Sequence, residues 1–163
     1  MKFMRGLGAA LAASVLLVSG ACQGAAETGP AAVQAARKID VTVESATGPH
    51  VFHVEVARTS AEQERGLMFR TNLPQDSGMI FTPYPAEGEP REASFWMKNT
   101  PTALDILFIR ADGTIARIGE NAVPFSEDNV KSGEPVAAVL EIHAGVSAKL
   151  GIKAGDKVHW AKQ

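Results

Sequence analysis

Leu104-Asp105-Ile106-Leu107-Phe108-Ile109-Arg110, followed by Asp112-Gly113 and then Thr114-Ile115-Ala116-Arg117-Ile118, is the stretch that decides the fold. The first run is strongly apolar and short, and reads as a strand. Asp-Gly is a tight-turn signal, so the whole stretch reads as two strands joined by a turn. Working backwards, Ala93 to Met97 is a further strand. Met79-Ile80-Phe81 is a short one, entered through an Asp76-Ser77-Gly78 turn. Between them, Pro83 to Arg91 carries three prolines, Gly88 and several charges, and reads as a solvated loop.

Nearer the amino terminus the pattern changes to strict alternation. Ile39, Val41 and Val43 alternate with Asp40, Thr42 and Glu44, and Phe52, Val54 and Val56 alternate with His53 and Glu55. Thr47-Gly48-Pro49 supplies a turn, so these segments predict a hairpin. Thr59 with Glu62 has the spacing of a capping box, which predicts a short helix to Arg65 ended by Gly66. Towards the carboxyl end, Pro124 to Gly133 reads as a polar loop and Val136 to Ile142 as a strand. Val146 to Leu150 reads as a helical turn closed by Gly151, and Lys157 to Trp160 as a last strand. The count is eight or nine short strands with one or two short helices. No strand–helix–strand alternation is visible. The expected class is mainly β: a compact antiparallel sandwich or barrel of jelly-roll type.

The 163 residues, 45% hydrophobic and 21% charged, suffice for one globular domain once targeting segments are set aside. Lys2 and Arg5, the apolar run Leu7 to Val18, and Ser19-Gly20-Ala21 read as an export signal over residues 1–21. Cys22 follows directly and is the only cysteine, so no internal disulfide can form. Its position resembles the lipidated cysteine of bacterial lipoproteins, which predicts an anchor on Cys22 and a periplasmic protein held at the outer membrane. The alternative is cleavage in Gly24-Ala25-Ala26, which would discard it. Residues 22–37 read as a flexible tether and 38–163 as the single β-rich domain. Without the signal, 14 basic residues face 18 acidic ones, and no basic stripe is present. Nucleic acid and anionic lipid are therefore poor partners, and the lipid anchor is the one membrane attachment expected.

Several motifs then occur in fixed order: Arg65-Gly66-Leu67-Met68-Phe69-Arg70, Gly78-Met79-Ile80-Phe81, Phe95-Trp96-Met97-Lys98-Asn99-Thr100, Leu104 to Ile109, Asp112-Gly113, and Val139-Leu140-Glu141 with Ala144-Gly145. Together they resemble the bacterial and archaeal family called domain of unknown function 192, over about Ile39 to Val158. The Pro83–Arg91 loop is longer than the family's usual link. The resemblance implies a jelly-roll-like sandwich or barrel, often exported, with no established reaction. A carbohydrate-binding role has been entertained for that fold, and fold alone does not settle function.

Arg65, Arg70, Trp96, Lys98, Asn99 and Asp105 are the candidate ligand-binding residues. Trp96 would stack on a flat face such as a sugar ring, Lys98 and Asn99 would orient the ligand, and Asp105 would hold an arginine in place. Alternation puts Trp96 on the opposite strand face from Phe95 and Met97. A bracing role is equally open: Arg65 or Arg70 would pair with Glu55, Asp105 or Glu141. The expected function is non-enzymatic binding or scaffolding for a small polar or carbohydrate-like ligand. One alternative is a hydrolase using Asp105 and Glu141 as a carboxylate pair, which requires both to face one cleft. Another is a Cu(I) protein using Met68, Met79 and Met97 with Trp96, although methionine also fills cores. The histidines lack metal-ligand spacing, no phosphate loop is present, and no cofactor is implied.

Overall fold

The computed structural model describes residues 38–161. The expected export signal, Cys22 and the whole of the expected tether lie outside the described residues. Nine strands and two short helices follow in chain order. They are β1 (Lys38–Ser45), β2 (Gly48–Ala57), α1 (Ser60–Arg65), β3 (Ser77–Phe81), β4 (Arg91–Phe95), β5 (Leu104–Ile109), β6 (Ile115–Ala122), β7 (Val130–Val136), β8 (Ala138–His143), α2 (Val146–Lys149) and β9 (Lys157–Trp160).

Seven strands form one curled sheet in the order β6-β5-β8-β3-β2-β1-β9, and β4 pairs with β7 in a separate ribbon. The two ends of the large sheet approach each other. Thr114 bridges Lys157, the Val158 amide donates to the Gly113 carbonyl at 2.9 Å, and the Ile115 amide donates to the Asp156 carbonyl at 2.9 Å. The curl is thereby clasped at one end into a half-barrel.

The mainly β class is as expected, with one pairing that differs. β2 and β3 run parallel, with Val54 opposite Gly78 and Val56 opposite Ile80. A parallel neighbour requires a crossover, and the chain makes it through α1. The helix has only six residues, too few to leave a helical period in the sequence. Its start is the predicted one. The Thr59 side chain accepts from the Glu62 amide at 3.3 Å, and the Glu62 carboxylate accepts from the amides of Thr59 and Arg58 at 2.9 and 2.8 Å. These backbone donors, Thr59 first, hold the Glu62 carboxyl below its ordinary range.

Several boundaries differ from expectation: Val136 ends β7 rather than opening β8, and β6 runs on to Ala122. The supposed polar loop after Pro124 contains the start of β7, whose outward Lys131, Gly133 and Pro135 disguise it. The supposed Ala93–Met97 strand begins at Arg91 and ends at Phe95.

The sheet separates two cores. One lies inside the curl and is built from Val41, Val43, Phe52, Ile80, Leu107, Leu140 and Ile142, plugged by Val146 and Ile152. The other lies between the sheet's outer face and the β4–β7 ribbon, and contains Met79, Phe81, Ala93, Met97, Ile106, Phe108 and Val139. β3 and β5 are buried on both faces and β8 nearly so, which is why they read as continuous apolar runs, whereas β1 alternates. Where β3 meets β8 the backbones are close. A Cβ on Gly78 would lie 2.0 Å from the Glu141 carbonyl oxygen, so only glycine fits there.

A cavity with a buried carboxyl at its floor

Each half of the proposed carboxylate pair sits in an apolar strand, but the two point to opposite sides of the sheet. In the β5–β8 register, Asp105 lies opposite Ile142 and Ile106 lies opposite Glu141. Paired residues share a face. Asp105 therefore belongs to the inside of the curl with Ile142, and Glu141 to the sandwich side with Ile106 and Met79. The two-carboxylate hydrolase requires a shared cleft, and this register removes it.

Asp105 is wholly buried and already satisfied. One carboxylate oxygen accepts from the Asn121 amide at 2.9 Å and the other from the Ser147 amide at 3.0 Å. It ties the end of β6 to the start of α2 and holds no arginine. Asp105 thus leaves the ligand-binding set and becomes a structural staple, two backbone donors taking the place of the expected guanidinium.

Glu141 is the opposite case. Only 4% of the residue is exposed, and its carboxyl makes no hydrogen bond or ion pair to any described residue. With no compensating donor or cation, burial pushes its pKa up to about 8. At neutral pH it is mostly a neutral acid. It faces a cavity of about 280 Å³.

The walls come from three places. From α1 and the turn after it come Gln63, Arg65, Leu67 and Met68; from β4 and its end come Arg91, Ser94, Phe95 and Trp96; from the loop after β3 comes Tyr84. The α1 wall is held by Gln63, whose amide donates to the Pro83 carbonyl at 2.6 Å. The Tyr84 wall is held by its own amide, which donates to the Ala137 carbonyl at 2.8 Å, and by ring contact with Phe95 at 5.6 Å. The first part of the expected solvated loop is thus packed down, with Pro85 buried. Phe95 meets Phe81 edge-on at 5.0 Å, and both rings are on the lining.

The predicted site residues divide. Arg65 and Trp96 line the cavity. Trp96 is 44% exposed while Met97 is buried, as the alternation predicts. Lys98 does not line the cavity but places its ammonium 4.9 Å from the Trp96 ring centroid. Arg70 is occupied, pairing with Glu55 at 2.6 Å, which is the bracing role. Asn99 sits in a left-handed turn, with its amide nitrogen 4.0 Å from the Met68 sulfur. Met79 and Met97 are buried core residues, and a thioether copper site finds no support from them. Among the described residues no cluster of His, Cys, Asp and Glu could hold a metal ion. Tyr84 and Arg91 were not foreseen, because they sit in a stretch without periodicity. An aromatic side chain inside a Pro-rich polar loop is the signal that could have marked Tyr84.

The model of the family DUF192, described as "Uncharacterized ACR", matches residues 41–160. The chain belongs to this family. Two solved structures are similar throughout the domain. A Novosphingobium aromaticivorans protein of unknown function is 49% identical, with a TM-score of 0.73, over 79% of this chain and 89% of that one. A Sinorhizobium meliloti protein, whose description proposes a transcription regulator, is 44% identical, with a TM-score of 0.72, over 77% of this chain and 95% of that one. Comparison with curated proteins gave no match.

Proposed function

We propose that this DUF192 domain is a non-enzymatic binding module of the cell envelope whose cavity takes a small polar, carbohydrate-like ligand. The observation that carries the reading is a cavity with a half-exposed indole on its wall and charged groups that the protein itself leaves unused. Neither Arg65 nor Arg91 has a side-chain partner among the described residues, and Glu141 has none either. Trp96 offers a flat apolar face, and Arg65, Arg91 and Ser94 offer polar groups around it. That mix of an aromatic platform and convergent polar heads suits a sugar ring. Export through residues 1–21 and retention through Cys22 belong to the same proposal.

The test is a thermal-shift series with mono- and disaccharides on the wild-type protein and Trp96→Ala. Binding to the folded state raises Tm with ligand concentration. The expected result is a rise in the wild type that Trp96→Ala weakens at least tenfold in apparent affinity. No shift with any sugar, or an undiminished shift in the variant, overturns the reading. For the anchor, an intact-mass spectrum of the membrane fraction should show acyl mass on Cys22.

A further inference from the structure

Resting on that reading, we infer that the ligand carries a primary amine, whose ammonium enters the cavity and pairs with the Glu141 carboxylate, so that the natural ligand class is an amino sugar. Glu141 is a buried carboxyl with no donor supplied by the protein, facing a cavity that opens to solvent. A neutral hydroxyl would use one of its oxygens. An ammonium, with three donors and a full charge, satisfies the whole group.

The rings on the lining help to hold a cation beside Glu141, against the repulsion of Arg65 and Arg91 on the same cavity. Phe81, Tyr84, Phe95 and Trp96 are all on the lining, and aromatic faces attract ammonium groups more strongly when water is excluded. The protein shows the same chemistry at its own surface, where the Lys98 ammonium sits over Trp96. The remaining polar part of the ligand, rich in hydroxyl oxygens, would face the donors of Arg65 and Arg91.

The proton balance is simple. In the free protein Glu141 holds its proton. When the ammonium enters, the carboxyl ionises, the proton passes to the buffer, and a carboxylate–ammonium pair forms. The groups around Glu141 are few. From β3 and β5 its neighbours Met79 and Ile106 cannot titrate. Glu64 and Arg65 on α1, Tyr84 on the loop and Arg91 on β4 are the remaining titratable or charged groups on the cavity.

The experiment is calorimetric titration of glucosamine and of glucose into the purified protein, in two buffers of different ionisation enthalpy, across mildly acidic to neutral pH. Glucosamine should bind more tightly than glucose, release close to one proton per ligand, and gain about tenfold in affinity per pH unit while Glu141 is protonated in the free protein. Glu141→Gln should lose the preference for glucosamine over glucose and lose the proton release; thermal unfolding of the variant confirms that it is folded. Equal binding of both sugars without proton release, abolished by Trp96→Ala, overturns the amine and leaves the sugar site standing. Absence of binding by both sugars overturns the amine and the sugar site together.

Discussion

Replacing Glu141 by glutamine should stabilise the protein by an amount that grows with pH. The carboxyl is buried on the sandwich side of β8, and desolvation lifts its pKa from 4.5 to about 8. Below the lower value both folded and unfolded chains hold the proton, and ionisation contributes nothing to the difference between them. Between the two values the unfolded chain releases its proton while the folded chain keeps it. The unfolded state then gains about 1.4 kcal/mol per pH unit. At neutral pH the folded protein has lost roughly 3 kcal/mol on this account, and the loss levels off above the upper value at on the order of 5 kcal/mol. Glutamine is nearly isosteric and does not titrate, so it is free of this pH-dependent loss. Urea unfolding of both proteins from about pH 4 to about pH 9 isolates the effect, because every other titrating group cancels in the difference. The variant's advantage should open with pH and then flatten, with the m-value unchanged. A difference that stays constant with pH, or a variant less stable than wild type in the alkaline range, refutes the reasoning.

Asp105→Asn should cost about 2–4 kcal/mol, read as a lower urea midpoint, because one of two buried backbone donors then faces an amide NH₂ instead of an acceptor. Gly78→Ala should abolish stable folding, since its Cβ would collide with the Glu141 carbonyl at 2.0 Å; circular dichroism of the purified variant checks this. Arg70→Ala should change stability by at most about 1 kcal/mol, since its ion pair with Glu55 is partly solvated; a midpoint shift well beyond that would show a role besides the pair.

Where a strand faces water on one side, its sequence shows it. β1 and β2 alternate, and their register puts Val41 and Val43 inside with Phe52 and Val54. The capping box and the Asp112-Gly113 turn were legible for a similar reason: each is a local arrangement, closed by its own residues. Pairing between distant segments was not. β2 and β3 are parallel because α1 carries the chain across, and six residues are too few to display a helical period. β7 was hidden because it pairs with β4 at the surface and spends its outward positions on Lys131, Gly133 and Pro135.

The site was half legible for a related reason. Asp105 and Glu141 look alike in sequence, each a lone acid between apolar neighbours. What separates them is a register offset of one residue across β5 and β8, which sends one to backbone amides and the other to a cavity. No local pattern encodes that offset. Trp96 and Arg65 were singled out because their residue types suit binding, and both line the cavity. Tyr84 and Arg91 arrive at the same cavity only through the packing of a loop.

The clasp between Gly113 and Val158 makes the last strand the one that completes the curl. During synthesis β9 emerges after every other strand, so until then β1 and β6 each present a free edge to their surroundings. Any chain cut before Lys157 keeps both edges permanently open. Such a fragment should be sticky and short-lived in the cell, even though the cavity residues, all earlier in the sequence, would be present in full.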